Sequence, residues 1–132
     1  MEDYLDAAHR HFEDARLLHG QTPARLANAS HLYGFCGECV LKAIMSGKSR
    51  SGVARKHLPD ILNEFLQHSV ARGNAMLAER IRKTCSGYSA WDVSERYTHR
   101  LAVTFTAERI KTEGETGQKL LNLLEHWEKG LI

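Results

Sequence analysis

Residues 24–45, ARLANASHLYGFCGECVLKAIM, constrain the fold more than any other stretch. Leu26, Tyr33, Val40 and Ile44, with Leu41 beside them, recur at helical spacing and make one broad apolar stripe. Ala27, Ser30, Gly34 and Gly37 form a second stripe of small residues next to it. Glycine in a helix interior costs about 1 kcal/mol against alanine, so two of them here predict a neighbour pressed against the backbone. Glu38 and Lys42 stand at i, i+4 in the order that favours a helix ion pair. Such a helix is expected to be the spine of an all-α domain.

The remaining pattern agrees. Residues 2–19 place Tyr4, Leu5, Ala8, Phe12, Ala15 and Leu18 on one face, and Gly20 ends the helix. Thr22 is expected to cap the central helix, with Pro23 in its first turn. A third helix opens at His57-Leu58-Pro59, buries Leu58, Ile61, Leu62, Phe65 and Leu66, and ends at Arg72-Gly73. Asn74 then caps a fourth helix carrying Met76, Leu77 and Ile81. The irregular segment after it is anchored by Tyr88 and Trp91, whose rings bury large apolar areas. Thr104 or Thr106 caps a last helix in which Ile110, Gly114, Gly117, Leu121, Leu124 and Trp127 share a face. Its two glycines are expected to meet Gly34 and Gly37 at a close helix crossing. The whole reads as one domain, residues 1–132, an up-and-down bundle of four to five helices.

Composition limits the function classes. A net charge of +2 is too weak a field for a dedicated DNA binder, so any nucleic-acid contact must be local. The basic stretch SGKSRSGVARK supplies Lys48, Arg50, Arg55 and Lys56 without an acid. It reads either as a solvated connection or as a phosphate-contacting loop. Three cysteines, an odd number, with no signal- or transit-peptide pattern, predict a reducing, cytoplasmic setting. No apolar run reaches the ~20 residues of a membrane span.

Chemical motifs are few. Cys36-Gly37-Glu38-Cys39 lacks the second pair a zinc site uses and the βαβ context of a redox CxxC, so both thiols are expected to be small core residues. No P-loop, dinucleotide fingerprint, GxSxG or HExxH occurs, and no metal or cofactor is expected.

The order of features resembles the HEPN family of small α-helical domains. The residues that carry the resemblance are Ala8, Phe12, Ala15 and Leu18 in the first helix and Gly34, Glu38, Leu41, Lys42 and Ala43 in the second. His57-Leu58 opens the third helix, and Glu95-Arg96-Tyr97 precedes the last. The resemblance implies a four- to five-helix bundle acting as a homodimer. It also implies binding of RNA or nucleotide, in many members beside a minimal nucleotidyltransferase in a toxin–antitoxin or defence pair. Its nuclease members cut RNA without metal, using an Arg and a His with four to six residues between them. Here the late pair, Arg96 and His99, has only two residues between, while Arg25–His31 and Arg50–His57 have the spacing but lie early.

Three readings follow. The first is an RNA- or nucleotide-binding dimer in which Lys48, Arg50, Arg55, Lys56, Arg96 and His99 contact phosphate and Tyr97 belongs to the same nucleic-acid- or phosphate-binding set. The second is a metal-independent endoribonuclease with Arg96 and His99 as catalytic residues. The third is a protein–protein interaction module. Glu38, Lys42, Gly34, Gly37 and Trp91 are structural in all three, with Glu38 paired to Lys42 or reaching inward to Arg96.

Overall fold

In the computed structural model, which describes residues 2–47 and 55–132, a side-chain cap starts the first helix. The Asp3 carboxylate accepts from the Asp6 N–H and satisfies one of the free donors at the start of α1 (Tyr4–His19). Ala8, Phe12 and Ala15 form its buried stripe, while Leu5 remains half-exposed. The expected cap at Thr22 is not used. The backbone N–H of Arg25 instead donates to Leu18 O at 2.9 Å and closes the turn onto the end of α1. The central helix, α2 (Leu26–Ser46), therefore begins after Pro23 with Arg25 at its N-cap and no side-chain cap.

The third helix is two. From Asp60 to Gln67 the chain forms α3, then the backbone at His68 turns extended (φ −70°, ψ 150°). The His68 Nδ1 accepts from the Val70 N–H at 3.2 Å and starts the single turn α4 (Ser69–Arg72). Asn74 caps α5 (Ala75–Cys85) as its sequence predicts, accepting from the Leu77 N–H at 3.1 Å. Leu77 and Ile81 are fully buried, but Met76, expected beside them, is 57% exposed. Two 3₁₀ turns follow, Ser86–Tyr88 and Val93–Tyr97, and the Thr106 hydroxyl then caps α6 (Ala107–Glu128). The described residues thus form an all-α bundle of six helices without strands, four of them longer than α3 and α4.

Helix α2 is the hub, packing on α1, α3, α6 and the second 3₁₀ turn. Tyr33, Leu41, Ile44, Phe65, Leu77, Ile81, Ile110, Leu120 and Leu124 belong to one continuous core. The small stripe of α2 is indeed a docking surface, but its partners are not the glycines of α6. A Cβ at Gly34 would lie within the Trp91 indole, and one at Gly37 within the Tyr88 ring. On α6, the neighbour of Gly114 is the Tyr33 ring and that of Gly117 is the Phe12 ring. Aromatic plates, each larger than any glycine–glycine contact could hold, fill the space between the helices.

Each plate is also tethered. The Trp91 Nε1–H donates to Ser30 O at 2.9 Å, and the Tyr88 hydroxyl donates to Tyr33 O at 2.7 Å. Both carbonyls sit four residues before a glycine, in the helix interior, where the second lone pair of the oxygen is free to accept. The missing Cβ at i+4 is what lets the ring reach that oxygen. Gly34 and Gly37 therefore hold the irregular segment of residues 86–97 against α2.

Candidate functional site

A buried ionic clamp positions the segment that carries Arg96. In the second 3₁₀ turn, Asp92 and Glu95 make a reciprocal capping box. Glu95 also receives the Arg109 guanidinium in a two-pronged contact, Nη2 to Oε1 at 2.6 Å and Nη1 to Oε2 at 2.8 Å. Arg109 bonds Glu113 as well, through Nε at 3.1 Å, and its Nη1 donates to the Thr104 carbonyl and hydroxyl. Glu113 is fully buried and accepts from the Ser30 hydroxyl of α2 at 2.6 Å. Burial raises the Glu113 pKa against the opposing pull of Ser30 and Arg109, whereas the Arg109 contact lowers that of Glu95. A planar guanidinium suits such bidentate work. Arg96 follows Glu95 directly, so this clamp and the Trp91 tether together fix its backbone.

Beside the clamp lies a cluster of imidazoles on an aromatic floor. The Glu38 carboxylate, buried in α2, contacts His57 Nδ1 through both oxygens, at 2.8 and 3.0 Å, and accepts from the Leu58 N–H at 3.3 Å. Burial raises the Glu38 pKa, opposed first by the His57 hydrogen bond and then by the charges of His57 and Lys42. With Glu38 ionised, Nδ1 carries the hydrogen, and Nε2 of the neutral ring is left with its lone pair. The His57 side chain is 45% exposed, so that ring edge is accessible. His57 stacks on Phe35 at 5.9 Å and 18°. Phe35 in turn meets His31 at 4.3 Å, His11 at 5.7 Å and Trp91 at 6.0 Å. The His31 Nδ1 is buried and has no hydrogen-bond partner among the described residues. Desolvation lowers the His31 pKa, helped by the charges of Arg96 and His57. His31 thus feels the charges of both Arg96 and His57.

Glu38 therefore pairs with neither of the partners expected for it. Its hydrogen bonds go to His57 and Leu58, while the Lys42 ammonium lies over the Tyr4 ring at 5.9 Å. Arg96 stacks on its neighbour Tyr97 at 4.8 Å, and Tyr97 is 81% exposed. His99 turns to its own loop, where its Nδ1 accepts from the Leu101 N–H at 3.1 Å. Arg55 lies 3.9 Å from Glu2, and Lys56 bonds Glu64 at 3.0 Å on the exposed approach to His57. Lys48 and Arg50 fall outside the described residues.

The CxxC is part of the core. Cys36 is fully buried and burial pushes its thiol far up, while that of Cys39 rises to about 11. Reactive cysteines are thiolates in electropositive, open surroundings, and neither fits. Among the described residues no group of three or more His, Cys, Asp or Glu could hold a metal ion, and no helix is long and apolar enough to cross a membrane.

His31, Phe35, His57, Arg109 and Glu113 were not singled out by the sequence as site residues. For His57 a signal exists, since it opens a helix directly after the basic stretch. Arg109 and Glu113 stand at i, i+4 in the sequence, a spacing that by itself carries no sign of burial. No protein-family model matches this chain, and no curated protein or solved structure matches it either.

Proposed function

We propose that this chain is a HEPN-like RNA- or nucleotide-binding protein, cytoplasmic and homodimeric, that works with a partner of the minimal-nucleotidyltransferase kind in a toxin–antitoxin or defence pair. The observation that carries the binding assignment is the Glu38–His57 pair stacked with His31 on Phe35, where the charge of Arg96 also reaches His31. Phosphate needs a cation and hydrogen-bond donors, which Arg96 and the imidazole edges offer. Bases need a flat apolar face, and Phe35, His57 and the exposed Tyr97 offer that. Arg55 and Lys56 lie on the approach, each beside an acid, Glu2 and Glu64. The resemblance in the sequence supports the family and partner assignments.

The Glu38–His57 contact favours a second reading, metal-independent cleavage of RNA. A carboxylate that fixes one imidazole nitrogen leaves the other with its lone pair free to act as a base. Such a base takes a proton from a ribose 2′-hydroxyl as that oxygen attacks phosphorus, the P–O5′ bond breaks with the 5′-oxygen taking a proton from water, and a guanidinium stabilises the added negative charge. In this reading His57 is the base and Arg96 the phosphate ligand, and His99 is an exposed neighbour. Binding of a single-stranded RNA oligonucleotide followed by fluorescence anisotropy tests the first reading, with Arg96→Ala expected to weaken it about tenfold. Cleavage of the same RNA in EDTA tests the second. Loss of cleavage in His57→Ala with retention in His99→Ala supports it, and retention in both refutes it.

A further inference from the structure

The three most exposed large apolar side chains among the described residues all lie in one stretch, from the end of the second 3₁₀ turn to the loop before α6. Tyr97 is 81% exposed, Leu101 80% and Val103 94%. Apolar groups left in water forgo the free energy of burial, so a cluster of them marks a surface that meets something apolar. The same stretch is cationic. From Arg96 to Ala107 the sequence has no acid, and Arg96, His99 and Arg100 are all exposed. The acid just before it, Glu95, is taken by Arg109.

The loop is held in shape. The Thr98 N–H donates to Glu95 O and the Ala102 N–H to His99 O, both at 2.9 Å, and the Phe105 N–H donates to Ala102 O at 3.1 Å. Phe105 is buried in the core and Ala102 packs against it, so Leu101 and Val103, on either side of Ala102, are turned out. A side chain 94% exposed has no wall beside it, which makes the loop a projection and not a groove.

The chemistry of the projection selects its partner. Two copies of the loop would set Arg96 and Arg100 of one against those of the other, a repulsive arrangement. RNA would use the cations and Tyr97 but leave Leu101 and Val103 in water, because bases stack on rings. A bilayer interface takes projecting apolar side chains without a matching pocket, and anionic head groups attract the cations between them. Tyr and Arg suit that level, each having an apolar body and a polar end. We propose that residues 96–103 dock this chain on an anionic lipid surface, with Tyr97, Leu101 and Val103 inserted at the interface and Arg96 and Arg100 at the head groups. This contact goes beyond RNA binding and does not require it.

The test is co-sedimentation of the full chain with vesicles of phosphatidylglycerol and phosphatidylcholine in equal parts, against vesicles of phosphatidylcholine alone. Binding to the anionic vesicles is expected to be at least about tenfold tighter, and Arg100→Ala to weaken it about fivefold. A Leu101→Ser, Val103→Ser double variant is expected to weaken it about tenfold or more, while its RNA anisotropy stays at the parent's value. Both side chains are exposed, so their replacement spares the fold. In Leu101→Trp, brominated lipid is expected to quench fluorescence beyond the parent's. The proposal is overturned by no sedimentation with anionic vesicles, the result for a loop that docks on protein, or by an unaffected double variant, the result for charge alone. Equal binding to both vesicles, no added quenching, or an equal loss of RNA binding in the double variant overturns it as well.

Discussion

Gly37 and Tyr88 illustrate what single residues decide in this molecule. The ring occupies the place of a Cβ and its hydroxyl donates to Tyr33 O. Gly37→Ala gains helix propensity but must displace a fully packed ring, so overpacking wins by about 1–3 kcal/mol. Urea unfolding at constant m-value would register this as a fall in midpoint. A change below ~0.5 kcal/mol would show that Tyr88 can move aside. The neighbouring Trp91 and Gly34 obey the same geometry, and the three-residue spacing of Gly34–Gly37 matches that of Tyr88–Trp91 in reverse order.

His31 sets a pH dependence. Its pKa is lowered in the folded state, so between that value and its ordinary one the unfolded chain holds more protons. Its contribution is therefore fully present above pH ~6.5 and lost as pH falls through the folded value. His11, also lowered by burial, adds a term of the same sign, and Glu38, raised by burial, adds one of opposite sign. His31→Phe keeps a ring against Phe35 and removes the unpartnered Nδ1. The variant is expected to lose less stability than the parent between pH 7 and pH 5, in paired denaturation curves. Identical pH profiles would contradict the assignment.

At the scale of elements, the second 3₁₀ turn is held to the bundle by polar contacts as much as by apolar ones. Arg109 joins Glu95, 14 residues away, to α6, and Glu113 reaches Ser30 across 83 residues of sequence. Arg109→Ala leaves Glu113 buried without its cation, a loss of about 3–5 kcal/mol for a broken buried pair. Hydrogen exchange is expected to rise first in residues 92–105, before α1 and α2 respond. Uniform loss of protection, or none, would argue that the clamp does not hold this segment separately.

These contacts also show what was legible in the sequence. The spine helix, the caps at Asn74 and Thr106 and the anchors Tyr88 and Trp91 all follow from local spacing and residue chemistry. Local patterns carry no information about partners that meet only after the chain folds back. Glu38 illustrates the limit. At i, i+4 from Lys42 it has the pattern of a surface pair, but its helix position faces inward and His57, 19 residues on, takes the carboxylate. The expected glycine contact failed for a related reason. A small stripe predicts close approach but not the identity of the group that approaches.

At the scale of the whole molecule, α2 separates two faces with different chemistry. One carries Phe35, His31 and Glu38 and looks toward His57 and Arg96. The other carries Tyr33, buried against Gly114 of α6, with Arg16, Lys111 and Lys119 exposed around it. A weakly charged protein gains nucleic-acid affinity only where a few cations converge, so the first face should account for most of the salt dependence of binding. The most direct test of that claim is the anisotropy of a labelled single-stranded RNA oligonucleotide across a salt series, with the parent and Arg96→Ala compared. Weaker binding of the variant is expected at every salt concentration, with a slope of log K against log salt shallower by about 0.7, one phosphate contact on a single strand. Equal affinity and equal slope in the two proteins would contradict it.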